Sequence, residues 1–319
     1  MPLISSPYRA RGVFKNGHFS TIYSAKLRPI PKVAQERERL ELSDGDFIDI
    51  DWSFADKKKG KVALLLHGLE GNAQRVYMQG QASILNENGW DVAAMNHRGC
   101  SGEENRLYLS YNSGRTEDLS ELIHHILTNK TYDEIALIGF SLGGNLVLKY
   151  LGERHSVPSQ ISKGVAISAP LHLRGSLERL IQFENFVYNR TFITDLKKKY
   201  KRKMAHFPEK MSRDEYKKVR TLLDFDNLYT APAHGFRDAY DYYEKSSSLQ
   251  FLPQISNKVL ILNAQNDSFL SPKCYPSEFA SKSKNVYLES PKHGGHVGFH
   301  DTNAVYYSEQ RTLDFLNGK

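Results

Sequence analysis

"EIALIGFSLGGNLVLKYLGE", residues 134–153, is the stretch that decides the fold. Its apolar start, EIALI, predicts a buried strand, and GGNLVLKYLGE has the apolar spacing of a helix. Between the two, Gly139-Phe-Ser-Leu-Gly143 places Ser141 in a sharp strand-to-helix turn, where small neighbours avoid clashes and leave the hydroxyl exposed. The helix N-terminus behind the serine offers free N–H groups to developing negative charge. We therefore predict that Ser141 is a nucleophile rather than a serine held in an ordinary tight turn.

Continuous apolar runs on both sides of this turn predict further strands that are buried on both faces. With the run at the serine, they are residues 61–68, 91–99, 134–141, 164–170, 258–267 and 285–290. Helical patterns separate them, and the clearest covers residues 115–127. The alternating segment 38–54 comes first and turns at Asp44-Gly45, which predicts a hairpin. The chain is therefore expected to be an α/β protein with a mostly parallel sheet of about eight strands and an antiparallel N-terminal start.

One long segment interrupts the alternation of strand and helix. Residues 171–257 have helical character without a clear strand, and they are too many for a plain crossover connection. We predict one domain over residues 1–319, with 171–257 inserted as a helical cap over the strand ends. The apolar side chains that open this segment either pack on the main domain or line an acyl pocket. Its polar residues Asp224, Asp226 and His234 either touch substrate or fix the cap on the core.

The net charge of +7 is concentrated in residues 195–220, which hold eleven Lys or Arg against four Asp or Glu. This pattern is typical of a solvated helix face, or of a surface that contacts anionic lipid weakly. In the second interpretation six cations face the membrane together: Lys197, Lys198, Lys199, Lys201, Arg202 and Lys203. We expect no nucleic-acid partner, because no aromatic motif is interleaved with the charge.

The composition excludes several other classes of protein. No apolar run approaches the roughly 18 residues of a membrane-spanning helix, and the first residues do not have the pattern of a signal peptide. The only cysteines, Cys100 and Cys274, are far apart in the sequence, which argues against disulfides and structural zinc. We therefore expect a cytoplasmic protein. The oligomeric state is left open.

A serine nucleophile needs a base that takes its proton and an acid that orients the base. After such a turn the acid and then the histidine follow on loops behind later strands. Asp267 ends the run KVLILNAQND, and His296 lies in HGGHVGF, behind NVYLES. Asp267 is alternatively a turn or helix-capping residue, and His296 a structural loop histidine with His293 as its rival. His300 has the surroundings of a helix start.

The oxyanion of an acyl intermediate needs two N–H donors, one of them from the residue after the nucleophile, here Leu142. The second is expected from the loop HGLEG, residues 67–71, which follows the strand KVALLL. We predict the N–H of Leu69 for this role. His67 is expected to shape the loop rather than to transfer protons.

These motifs together resemble the α/β-hydrolase superfamily: HGLEG, NHRGCSG, GFSLGGN, NAQND and HGGHVGF occur in that order. The segments ERLELSDGDFIDIDW and LLDFDNLYTAPAHGFRDAYDYYEKSS resemble its YheT-like branch. The resemblance implies a triad of Ser141, Asp267 and His296, an oxyanion hole formed by Leu69 and Leu142, and no metal or organic cofactor. It implies a small-molecule acyl ester as substrate and a serine esterase as the activity. An acyltransferase is the alternative, and a non-catalytic binding protein on this scaffold is an alternative of another class.

Overall fold

A nine-stranded sheet runs through the part of the chain that the computed structural model describes, residues 2–57, 59–153, 156–302 and 304–319. Its spatial order is β1-β9-β8-β7-β6-β4-β5-β3-β2. The strands are β1 (Leu3–Ile4), β2 (Glu36–Glu41), β3 (Phe47–Ser53), β4 (Lys61–Leu66), β5 (Asp91–Asn96), β6 (Glu134–Phe140), β7 (Ile161–Ile167), β8 (Lys258–Leu262) and β9 (Val286–Glu289).

The predicted fold class is confirmed. Strand β3 pairs antiparallel with both β2 and β5, whereas the pairs from β5 through β4, β6, β7, β8 and β9 to β1 are parallel. The β2–β3 hairpin turns at Asp44-Gly45, where Gly45 has a φ of +85°. The six runs and the hairpin predict eight strands, and the ninth is β1. It was not predicted because two residues are too few to have a hydrophobic pattern.

Helices cover both faces of this sheet. They are α1 (Gly17–Lys26), α2 (Val76–Glu87), α3 (Glu117–Asn129), α4 (Leu142–Glu153), α5 (Leu173–Leu180), α6 (Phe186–His206), α7 (Arg213–Lys218), α8 (Leu222–Phe225), α9 (Ala231–Ala233), α10 (Ala239–Ser246), α11 (Ser277–Lys282) and α12 (Tyr307–Leu316). The apolar stripe of α3 packs with α4 on one face, and α2 packs with α12 on the other. The polar loops at the carboxyl ends of the parallel strands are therefore free to form a site.

Helices α5 to α10 all lie between β7 and β8, and no strand lies there among the described residues. They have an apolar cluster of their own, which includes Leu196, Tyr200, Phe225 and Tyr229. Phe269 joins this cluster from the loop after β8, so the helices pack on the carboxyl end of the sheet. That residues 171–257 act as a cap stays a prediction.

The basic run of α6 does not form one solvated face. Lys199 is 2% exposed and Lys203 is fully buried, and Lys203 Nζ donates hydrogen bonds to the carbonyls of Asn105 and Leu107 at 3.2 and 2.6 Å. Positions 199 and 203 lie one helical turn apart, so both point to the side of α6 that packs on the protein. The expectation that six cations of this run could face a membrane together is therefore wrong for these two.

Among the described residues, no helix combines the length and the hydropathy that crossing a bilayer requires.

Candidate active site

Ser141 occupies the turn between β6 and α4 with a φ of +53°, a backbone conformation that residues other than glycine rarely adopt. The turn is possible because its neighbours are glycines. A Cβ on Gly139 would lie 2.1 Å from the carbonyl oxygen of Gly143, and one on Gly143 would lie 2.3 Å from the carbonyl oxygen of Leu66. The Ser141 N–H donates to the Ile167 carbonyl at 2.9 Å, which fixes the turn on β7. The sequence pattern thus produces the strained turn that it predicted.

The structure brings Ser141, His296 and Asp267 together. His296 Nε2 lies 3.0 Å from Ser141 Oγ, and its Nδ1 lies 2.8 Å from Asp267 Oδ2. Since an ionised carboxylate can only accept, Nδ1 carries the proton and Nε2 is free to accept from the serine. Asp267 Oδ1 accepts the N–H of Phe269 at 3.0 Å, which holds the buried carboxylate in place. The imidazole is 12% exposed, so it can reach a substrate from the cavity side.

The loop that carries His296 is held on both sides. Gly294 and Gly295 have φ values of +150° and +60°, so the two glycines provide the backbone freedom expected of this turn. The His296 N–H donates to Thr21 Oγ1 of α1 at 2.8 Å. The next N–H, that of Val297, donates to Ser168 Oγ at 2.9 Å. The contribution of Thr21 was not predicted, because nothing in the sequence near a threonine indicates a partner 275 residues away.

The two neighbouring histidines have other contacts. His293 Nδ1 hydrogen bonds to the carbonyl of Lys15 at 2.9 Å. The His300 ring stacks on Phe14 with centroids 3.7 Å apart, and this makes it part of the packing of the N-terminal segment. Of these three histidines, the described contacts connect His296 to both Ser141 and Asp267.

Leu69 and Leu142 both border the cavity in front of Ser141. The loop 67–71 approaches the serine closely, since a Cβ on Gly68 would lie 3.1 Å from Ser141 Cβ. In the described part of the chain, the N–H groups of Leu69 and Leu142 have no hydrogen-bond partner. Leu142 also opens α4, where the helix dipole favours negative charge. Their role as oxyanion donors stays a prediction, and the geometry leaves both groups available for it.

His67 lies beneath this loop. Its Nε2 accepts the N–H of His97 at 3.1 Å, and its Nδ1 lies 2.8 Å from the carbonyl of Gly68. Burial, and secondly the neighbouring His97, hold the pKa of His67 well below its usual value, so the ring is neutral. A neutral, fully buried imidazole with both nitrogens engaged by backbone supports the loop, as expected from the sequence.

A buried ion pair that the sequence does not indicate connects the same loop to α6. Lys199 Nζ lies 2.7 Å from Glu70 Oε1, and the Tyr111 hydroxyl donates to the same oxygen at 2.7 Å. The Glu70 N–H in turn donates to that hydroxyl at 2.7 Å. Glu70 follows Leu69 directly and has a φ of +49°, so these bonds hold a strained residue beside a predicted oxyanion donor.

The cavity in front of Ser141 has a volume of about 150 Å³. One side of its wall consists of leucines and aromatic rings of α5, α6 and α8, among them Leu177, Leu180, Phe192, Leu196, Leu222 and Phe225. One wall is polar, where Asp226 accepts hydrogen bonds from the hydroxyls of Thr230 and Tyr243 at 2.6 and 2.5 Å. Burial raises the pKa of Asp226 to about 6.

The other two polar residues named above in residues 171–257, Asp224 and His234, do not border the cavity. Asp224 Oδ2 accepts the backbone N–H groups of Arg220 and Thr221 at 3.0 and 2.8 Å and so caps the start of α8. Burial lowers the pKa of His234 to about 4. Among the described residues, no cluster of three or more His, Cys, Asp or Glu could hold a metal ion.

The comparisons with known proteins agree with this architecture. The sequence model of the α/β hydrolase fold family matches residues 62–302, and the chain belongs to that family. Within the family it belongs to the YheT-like branch, as predicted. It is 34% identical over 291 residues to the Escherichia coli (strain K12) protein named "Putative esterase YheT", covering 90% of this chain and 85% of that protein.

Two further proteins extend the comparison. The chain is 30% identical over 286 residues to the phospholipase ABHD3 of Mus musculus, covering 86% of this chain and 69% of the relative. The solved esterase Pf2001 of Pyrococcus furiosus superposes with a TM-score of 0.60 at 17% identity and covers 99% of this chain and 98% of its own. At that identity the likeness shows the fold alone.

Proposed function

We propose that this protein hydrolyses carboxylic esters through an acyl-enzyme formed on Ser141. The observation that carries the proposal is the position of His296, within hydrogen-bond distance of both Ser141 Oγ and Asp267 Oδ2. That arrangement is the one in which a histidine activates a serine while a carboxylate orients it. The esterase and phospholipase names of the relatives support the same class of reaction.

In the proposed reaction Ser141 Oγ attacks the ester carbonyl carbon while His296 Nε2 takes the hydroxyl proton. Asp267 stabilises the imidazolium that results, and the N–H groups of Leu69 and Leu142 stabilise the oxyanion. The tetrahedral intermediate collapses, and His296 gives its proton to the leaving alcohol. A water molecule, activated by His296, then attacks the acyl-enzyme and releases the acid.

The apolar cavity is the proposed acyl site, with residues 171–257 as the cap that covers it. A cavity of about 150 Å³ is comparable to one that holds a benzene molecule. It therefore encloses an acyl chain of about six carbons, and longer chains must extend out of it. We infer that small esters with short acyl chains are hydrolysed in solution.

The experiment that tests this proposal combines labelling with kinetics. The purified protein should react with a fluorophosphonate probe and hydrolyse p-nitrophenyl esters of short acids. Ser141→Ala should lose both properties, with kcat reduced on the order of 10⁶-fold, because the triad nucleophile is removed. A folded wild-type protein that neither labels nor hydrolyses any ester of the series would overturn the proposal. Product analysis in the presence of a competing alcohol separates hydrolysis from acyl transfer.

A further inference from the structure

Large exposed apolar side chains are concentrated in two segments that are distant in the sequence. Phe183 is 93% exposed, and its neighbours in the segment 181–187 include Phe186 and Val187, both more than half exposed. The second segment is residues 13–30, where Phe19 and Ile22 lie on the solvent side of α1. Water contact of this extent is unfavourable for apolar groups, and such patches mark contact surfaces.

Both segments border the candidate active site. From α1, Thr21 Oγ1 accepts the backbone N–H of His296. From α6, the Tyr188 ring packs against Phe269 with centroids 4.8 Å apart, and Phe269 packs against the His296 ring at 4.3 Å.

The two segments also meet each other, since the His18 ring of α1 stacks on Tyr188 at 5.7 Å. This contact places the two segments side by side next to the triad, and we take their exposed side chains together as one surface. We call this surface the apolar rim and define it as Phe19, Ile22, Ile181, Phe183, Phe186 and Val187.

The surface continues into a positively charged one. Along the exposed side of α6, Arg190 and Lys201 follow the rim at helical spacing. Lys198 and Arg202 share this side, where they pair with Asp195 and Glu104. The acidic side chain inside the rim segment, Glu184, is paired with Arg179 at 2.5 Å. An apolar area with cations along one side complements a lipid surface that bears anionic headgroups.

We propose that the apolar rim docks this protein onto the surface of lipid aggregates that contain anionic headgroups, so that esters enter the cavity from the lipid phase. The inference rests on the proposed function and adds where its substrates are taken up. A cavity of about 150 Å³ cannot enclose a long-chain lipid, so most of such a substrate stays outside while its ester reaches Ser141. The rim is the apolar surface beside the triad on which that part of the substrate can lie.

Vesicle binding tests the proposal directly. We expect wild-type protein to co-sediment with vesicles of phosphatidylcholine and phosphatidylglycerol, and more weakly with phosphatidylcholine alone. The double variant Phe183→Ser/Phe186→Ser should bind at least tenfold more weakly, because it removes two aromatic rings from the rim. Both side chains are largely exposed, so the core of the protein stays intact. Tyr240→Ser is the matched control: it removes an exposed aromatic ring outside the rim and should bind like wild type.

Activity measurements separate the docking surface from the catalytic site. The double variant should hydrolyse a soluble p-nitrophenyl ester at the wild-type rate and an ester embedded in anionic vesicles at least tenfold more slowly. The proposal would be overturned if wild type bound neither kind of vesicle. It would also be overturned if wild type and the double variant bound equally well to vesicles with and without anionic lipid. Self-association that the double variant abolishes, without vesicle binding, would make the rim a protein interface instead. If wild type does not hydrolyse the soluble ester, that result contradicts the proposed function but not the docking surface.

Discussion

Replacing Lys199 with methionine should affect both stability and activity, because the ammonium group is buried against the oxyanion loop. Lys199 Nζ lies 2.7 Å from Glu70 Oε1, and only 11% of the Glu70 side chain is exposed. Burial alone would lower the pKa of Lys199, but the neighbouring Cys100 and Glu70 raise it above its usual value. Methionine has a similar length and no charge, so Lys199→Met leaves the Glu70 carboxylate buried without its cation.

The expected loss of stability follows from that unpaired carboxylate. Removing one partner of a buried ion pair costs about 3–5 kcal/mol. Because Glu70 keeps the hydrogen bond from Tyr111, we expect the lower end, about 3 kcal/mol. The entropy of unfolding is about 2.1 cal/mol/K per residue, so a chain of 319 residues loses about 1.5 °C in Tm per kcal/mol and Tm should fall by about 4–5 °C.

Catalysis should weaken for a separate reason. The strained Glu70 backbone, with its φ of +49°, positions Leu69, whose N–H is a predicted oxyanion donor. Loss of one such donor costs about 10²–10³ in kcat, and a donor that is displaced rather than removed should cost less, about tenfold.

Thermal unfolding followed by circular dichroism and initial rates with a soluble ester measure these effects. Lys198→Met is the matched control, since the Lys198 side chain is 64% exposed and lies one residue away. The double variant Lys199→Met/Glu70→Gln removes the unpaired charge and should recover much of the lost stability. A Lys199→Met protein with wild-type Tm and kcat would refute the reasoning.

Three further predictions concern the site itself. His296→Ala should lose nearly as much kcat as removal of the nucleophile, whereas His293→Ala, whose ring hydrogen bonds to the backbone carbonyl of Lys15, should stay within tenfold of wild type in steady-state assays. Gly143→Ala should lower kcat at least tenfold, because the added Cβ would lie 2.3 Å from a carbonyl oxygen of β4; unchanged kinetics would contradict this geometry. Burial raises the pKa of Asp226 from 3.8 to about 6, so the unfolded chain binds fewer protons in between and stability should fall by about 3 kcal/mol as pH rises through that range. Between pH 4.5 and 7.5, urea unfolding should show about 2 kcal/mol of this fall in wild type beyond any change in Asp226→Asn.

The strand-to-helix turn and the order of the candidate residues were predictable because their signals are local. Gly139 and Gly143 flank Ser141 at fixed spacing, and the structure shows that backbone atoms occupy the space where their side chains would be. Asp267 and His296 follow buried strands of a parallel sheet, whose carboxyl ends meet at one edge. Each of these residues lies within a few positions of the glycines or the strand end that identifies it.

The supports of the site were not predictable in the same way. Thr21 fixes the backbone of His296 from a helix near the other end of the chain, and a threonine in a helix has many ordinary roles. The sequence predicts that Phe183 and Phe186, which are exposed, pack on the main domain or line an acyl pocket, because apolar spacing shows which side chains share a face. It does not say whether another element covers that face.

The two buried lysines show where a charge count misleads. The inward side of α6 is Leu196, Lys199, Tyr200 and Lys203, at the spacing of an apolar stripe. A pattern that counts lysine as polar finds only half of this stripe, although a lysine stem is apolar and packs well when its ammonium group finds acceptors. Those acceptors are Glu70 and two backbone carbonyls, which come from loops more than 90 residues earlier. Since two of the six cations are thereby withdrawn from the surface, charge contributes less to the proposed lipid contact than the sequence implied, and the apolar rim must contribute most of it.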